Sequence, residues 1–449
     1  MARTRRQSTP RASGTAAVLA VALACTSSSS RNARIEEDVG GIGLPARPPA
    51  CREVAAGSAL QVLLDSAESG SALCLAPGEY TGPLRIGAGV TLWGPREAVI
   101  RSSGAGTTIR LEADGATVLG ITVDGSGGRF DLLDAAVRIE GKGVRVEGVR
   151  IRNAVFGLLA EKSKQVILRG NEVKGDPEQT LGMRGDGIRL WETSDSRVED
   201  NVLQDSRDVV VWYSSRNLLL RNRIERGRYG THLMYSHENR LEGNRYVGNV
   251  AAIFVMYSRD VQIRDNLLAD SGGAAGMGLG IKESGNLDVR GNRFVHNTVG
   301  IYLDTSPLYE DDSNVFEGNL FRLGDAGVVF HSSETRNTFL ANDFRDLQAC
   351  VLVEGGGDAL GVTWRGNYFD DYAGYDLDGD GVGDLPYEYR SLANELTARV
   401  PALAFFRGTP ALGLVETIGR IVPLFEPRLI LVDPAPRIAA HEEDGTRAD

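Results

Sequence analysis

From Gly187 onward the chain is written in short strings whose apolar positions alternate with variable ones. Gly187-Ile188-Arg189-Leu190-Trp191 is followed by Asp208-Val209-Val210-Val211-Trp212, Gly230-Thr231-His232-Leu233-Met234 and Ala252-Ile253-Phe254-Val255-Met256. The series runs on through Gly278-Leu279-Gly280-Ile281-Lys282, Gly300-Ile301-Tyr302-Leu303-Asp304, Gly327-Val328-Val329-Phe330-His331 and Cys350-Val351-Leu352-Val353-Glu354. The second and fourth residues of each string are almost always aliphatic, and the third and fifth vary freely. A period of two predicts a strand, with the second and fourth side chains in a core and the third and fifth pointing out.

A second beat fixes how these strands recur. Asn follows an apolar strand and one polar or small residue at positions 171, 201, 222, 244, 266, 292, 319, 342 and 367, with gaps of 30, 21, 22, 22, 26, 27, 23 and 25. Less regular copies stand at Gly120-Ile121 and Gly148-Val149. Short strands on a beat of about 22 residues, with no helical periodicity, predict a β-solenoid. The expected architecture is an all-β, right-handed parallel β-helix over residues 76–370. Its Asn form a structural ladder, bonding along the stack and accepting left-handed backbone.

The flanks read differently. Val54 to Ala67 predicts a short amphipathic helix within a cap over 51–75, covering the open end of the sheets. Pro77-Gly78 marks a turn. After the last coil comes an acidic segment, 371–388, and then a tail over 389–440 with helical spacing from Pro410 to Pro423 and an apolar run at Leu429 to Val432. Residues 441–449 are expected to be disordered.

Composition then narrows the class. The net charge of −11 argues against a nucleic-acid partner, which needs a basic surface. Arg3, Arg5, Arg6 and Arg11 precede an apolar stretch, Ala16 to Ala24, too short to span a bilayer, so residues 1–25 read as an export signal. Ala22-Leu23-Ala24-Cys25 fits plain signal cleavage, but the Ser-rich run Thr26 to Ser30 after it slightly favours a lipoprotein box with Cys25 lipidated. The Ser-rich and then Pro/Gly-rich residues 26–50 form a linker. In an oxidising compartment Cys51 and Cys74 are expected to form a disulfide. Cys350 falls outside that pairing and is expected to be inert.

Aligned, the coils place Trp191, Trp212, Met234, Met256, Lys282, Asp304, His331 and Glu354 in one outward column. Beside it runs a second column that includes Arg189, His232, Phe254 and Tyr302. Apart from Met1, the four methionines are Met183, Met234, Met256 and Met277, all within 95 residues. Thioether and imidazole from Met234, Met256, Met277, His232 and His237 make a soft donor set suited to Cu(I). From the residues alone the outward set, with Trp191, Trp212 and Phe254, suits a protein interface better than a metal site, and a row of aromatic rings also suits sugars. The rival class is therefore a carbohydrate-binding or polysaccharide-modifying solenoid. Such chemistry needs converging carboxylates, and the column offers only Asp304 and Glu354, about 10 Å apart with His331 between them. The acidic segment Asp376, Asp378, Asp380, Val382 and Asp384, with Gly381 at position six, is the front of a calcium loop. Its closing acid is displaced, since position twelve is Tyr387.

Gly187-Ile-Arg-Leu-Trp, Val211-Trp-Tyr-Ser, Thr231-His-Leu-Met-Tyr-Ser, Val255-Met-Tyr-Ser and Gly276-Met-Gly-Leu-Gly-Ile-Lys-Glu resemble the NosD family. So do Gly300-Ile-Tyr-Leu-Asp, Gly366-Asn-Tyr-Phe-Asp-Asp-Tyr and Phe406-Arg-Gly-Thr-Pro. The resemblance runs from about Cys51 to Arg437. It implies a periplasmic, non-enzymatic subunit of an ABC-type complex with a membrane subunit and an ATPase. That complex works with a copper-chaperone lipoprotein on the copper centres of nitrous-oxide reductase. A lipid at Cys25 would depart from the family, whose members usually look plainly exported.

Overall fold

A computed structural model describes residues 43–333, 335–406, 409–421 and 427–441. The export signal, Cys25 and residues 442–449 lie outside the described residues. What is described winds into three parallel sheets of 14, 12 and 13 strands. Each coil supplies one short strand to each sheet, as Leu218–Leu220, Arg223–Glu225 and Tyr229–Met234 do in turn. The parallel solenoid follows from the alternation: Ile188 pairs with Val209 and Leu190 with Val211, all four buried. Phe294, Phe321, Phe344 and Phe369 stack inside at successive centroid distances of 4.8, 4.8 and 5.2 Å.

The corner between the first and second strands of each coil carries the Asn ladder. Asn222 donates from its backbone N–H and from Nδ2 to Oδ1 of Asn244, both at 2.9 Å, and from Nδ2 to the Val198 carbonyl at 2.8 Å. The pattern repeats from Asn171 to Asn367 and ends on Asp433, whose Oδ2 accepts both Asn367 donors at 2.9 Å. One expectation needs correction. The left-handed residue is the one before each Asn, as at Asp200, Arg221 and Asp265 with φ of 57°, 51° and 53°. The Asn must lie buried along the stack, so the residue before it takes the turn. A second ladder runs through the Tyr-Ser corners, where Ser214, Ser236, Ser258 and Ser284 each donate a backbone N–H to the next Ser Oγ at 3.0–3.1 Å.

The N-terminal helix is shorter than its apolar spacing suggests. Arg52–Val54 is a strand pairing in parallel with Leu73–Leu75, and only Leu60–Asp65 (α1) is helical. Val54 is drawn into the sheet because burial there outweighs weak local helix propensity. α1 buries Leu60 and Leu64, and Gln61 exchanges hydrogen bonds of 2.8 and 3.0 Å with the backbone of Arg85 on the edge strand Leu84–Ile86. The open edge is thus covered as a cap requires. Cys51 and Cys74 are disulfide-bonded, with Cα atoms 5.7 Å apart.

At the other end Tyr387–Arg390 and Leu429–Asp433 form an antiparallel pair that closes the core, with Ile430 and Leu431 buried and Tyr387 stacked on Phe369 at 3.9 Å. Between these strands the chain forms α2 (Leu392–Arg399), a 3-10 turn at Pro401–Phe406 and α3 (Pro410–Ile421). α2 has no counterpart in the sequence expectation. Among the described residues no helix is long and apolar enough to cross a membrane.

Candidate functional site

The 12-stranded sheet presents the two outward columns in register. Trp191 pairs with Trp212, Trp212 with Met234 and Met234 with Met256. In the adjacent column Val210 pairs with His232, His232 with Phe254 and Phe254 with Gly280. Strand alternation points His232 outward, yet its ring is buried, because its neighbours close over it. Tyr229 lies 4.9 Å from it between centroids, Trp212 5.4 Å and Phe254 6.0 Å. Trp191 in turn packs 5.8 Å from Trp212, and the Arg189 guanidinium lies 4.9 Å and 5.3 Å from the two indoles.

Inside this aromatic box the imidazole is held at both nitrogens. Trp212 Nε1–H donates to Nδ1 at 3.3 Å, and Nε2 lies 3.3 Å from Met256 Sδ. An indole N–H can only donate, so Nδ1 accepts and the proton of the neutral ring sits on Nε2, facing the thioether. Burial, opposed by Asp208 and aided by Arg228, brings the His232 pKa down to about 4. At neutral pH the ring is therefore uncharged. Nitrogen and thioether donors side by side fit Cu(I), and poorly fit Mg²⁺ or Ca²⁺.

The remaining donors are spread around this pair. Met234 is half-buried in register with Met256. Met277 lies over Gly280, where an added Cβ would be 2.6 Å from its Sδ and 2.3 Å from the Phe254 ring. His237 stands on the corner after the strand, where its Nδ1 accepts the Arg259 backbone N–H at 3.1 Å, so the structure does not bring it to the pair. Sequence reasoning missed Tyr229, which falls outside the five-residue strings and joins through a longer strand. It also missed the buried Asp186, which accepts from Arg207 at 2.7 Å and lies 3.4 Å from Arg189. Burial raises the Asp186 pKa. An Asp before a Gly gives no sequence signal for that role.

Farther along the face the charges are matched. Lys282 pairs with Asp304, while Glu354 accepts from Tyr302 OH at 3.1 Å and lies 3.2 Å from His331 Nδ1. Among the described residues the one metal-sized carboxylate group is Asp376, Asp378 and Asp380, with ligand atoms within 4.8 Å of one another. Backbone N–H groups of Gly381 and Gly379 hold the Asp376 pKa down. Asp384 accepts from Leu377 N–H at 2.7 Å, and Val382 bridges to Arg437. Tyr387 points into the core and donates to Asp371 at 2.8 Å, so position twelve closes the protein core rather than the loop.

A family model described as a periplasmic copper-binding protein (NosD) matches residues 176–374. A relative from Stutzerimonas stutzeri, named a probable ABC transporter binding protein NosD, is 27% identical over 402 residues, covering 78% of this chain and 83% of its own. Among solved structures, the Streptococcus pneumoniae surface adhesin PfbA matches with a TM-score of 0.52 at 13% identity, over 77% of this chain and 96% of that one. The catalytic unit of a GH87 α-1,3-glucanase from Streptomyces thermodiastaticus strain HF3-3 matches with a TM-score of 0.50 at 17% identity, over 73% of this chain and 65% of that one. An adhesin and a glucanase share the architecture, so these two likenesses concern the fold alone. Fold and site together define a parallel β-solenoid with a thioether–imidazole cluster boxed by aromatic rings on one face. Within that class the chain is similar to NosD proteins, over residues 176–374 for the family model and over 78% of its length for the relatives.

Proposed function

We propose that this chain is a periplasmic accessory protein that receives or passes Cu(I) during assembly of the copper centres of nitrous-oxide reductase. In this reading it is the extracytoplasmic subunit of an ABC-type complex, served by a membrane subunit, an ATPase and a copper-chaperone lipoprotein. The observation that carries it is the buried, neutral His232 with Nε2 3.3 Å from Met256 Sδ. Met234 and Met277 supply further thioethers nearby, and Trp191, Trp212 and Phe254 offer the partner an apolar rim. For Cu(I) to take Nε2, the ring proton must move to Nδ1, which breaks the bond from Trp212. Loading is thereby coupled to a shift of an indole at the docking face. The acidic loop would hold structural Ca²⁺ through Asp376, Asp378, Asp380 and Asp384 with the Val382 carbonyl. At the other terminus, Cys25 would carry a lipid if the lipoprotein box is used.

Anaerobic Cu(I) titration against a competing chelator tests the site, with a Met234→Leu/Met256→Leu variant beside the parent. The parent is expected to bind with quenching of Trp212 emission, and the variant to bind at least tenfold more weakly. Equal binding by both, or none by either, removes the transfer site and leaves the face as a docking surface.

A further inference from the structure

Beyond the aromatic box the same face opens into a cleft of about 850 Å³, roofed by the C-terminal helices. Its floor is apolar: Phe254, Met277, Val329 and Leu352 come from strands between Ala251–Met256 and Ala349–Val353. Those are five successive strands, so the floor is about 19 Å long at about 4.8 Å per coil. Leu412 of α3 and Asn394 of α2 form the opposite wall.

The charged groups of the lining are both carboxylates. Glu354 and Asp325 line the cleft, and no Lys, Arg or His does among the described residues. Tyr302 OH and His331 Nδ1 both meet Oε2 of Glu354, which leaves Oε1 for another donor. Asn394 is buried, and its Oδ1 has no hydrogen-bond partner. An apolar floor edged by carboxylates and no cation complements a chain that alternates apolar and cationic side chains. At about 3.3 Å per residue, six extended residues fill it.

We propose that this cleft binds an extended, basic and apolar peptide segment of a partner protein, lying along the coils with a Lys or Arg at Glu354. The cleft shares Phe254 and Met277 with the copper face, but the proposal does not depend on the copper reading.

Fluorescence anisotropy of the purified protein tests this in metal-free buffer, with fluorescein-labelled acetyl-Leu-Lys-Leu-Arg-Leu-Lys as probe. Two controls replace every Lys and Arg by Gln or by Glu. Saturable binding of the basic peptide is expected, at least tenfold tighter than the Gln peptide, with the Glu peptide not binding. Glu354→Gln should weaken it about fivefold, and Leu352→Arg should abolish it with thermal unfolding unchanged. If Leu352→Arg fails to fold, Leu412→Arg on the roof serves in its place. No saturable binding, equal affinity for the Gln peptide, or parental affinity in the Arg variants would overturn the proposal. Because no metal is present, none of those outcomes touches the Cu(I) site.

Discussion

His232 shows how one residue's chemistry is set by what closes over it. Exposed on a strand it would titrate near 6.5, and in the box its pKa falls to about 4. The folded value lies below the unfolded one, so as pH falls the unfolded chain takes the proton first. Stability from this group is complete above pH 6.5 and declines between 6.5 and 4, by about 3 kcal/mol in all. Urea unfolding across that window should show the decline, and a His232→Gln variant should show a shallower one. Cu(I) affinity should likewise persist below pH 6, since the ring stays neutral there. A loss of binding centred at pH 6.5 would mean that the metal ligand is an exposed imidazole instead.

At the scale of elements, the ladders hold the corners while the strands hold the core. Asn244 accepts the two Asn222 donors and donates to Asn266 and to the Leu219 carbonyl, all within the buried corner. Asn244→Ala strands those donors without partners and is expected to cost about 2–4 kcal/mol, read as a lower urea midpoint with unchanged slope. Asp433→Ala removes the last rung, which Asn367 uses twice, and should loosen the C-terminal hairpin first. Hydrogen exchange across Leu429–Asp433 would report that local opening. The Asn beat was legible because each rung sits at the same place in its coil. α2 was not legible, since its eight residues carry no strong apolar period and pack against α3 and the Pro401–Phe406 turn.

Over the whole molecule, both ends are sealed by different means: α1 and a disulfide at one, a hairpin crossing the last coil at the other. The acidic loop belongs to the second seal. Gly383 N–H donates to the Pro436 carbonyl at 2.8 Å, and Ile438 N–H to the Gly381 carbonyl at 3.1 Å. If Ca²⁺ fills the loop, it braces that seal, and calcium at a hundred times its Kd adds about 2.7 kcal/mol. Differential scanning calorimetry should then show a higher Tm with Ca²⁺ than with chelator. The gain should vanish in Asp378→Ala/Asp380→Ala. An unchanged Tm in the parent would leave the loop as a hydrogen-bonded acidic turn.

The sequence by itself determined the solenoid, because inward and outward residues alternate locally and a covalent beat of about 22 residues can stack in only one register. It also determined which side chains share a face, down to Trp212 beside Met234 and Met234 beside Met256. Tertiary structure alone decided that outward His232 would be buried, since Tyr229, Trp212 and Phe254 reach it across different coils. The same holds for His237, which shares the donor chemistry but is turned around a corner. Burial, tautomer and cleft depend on side chains that meet through space, and no local periodicity records those meetings.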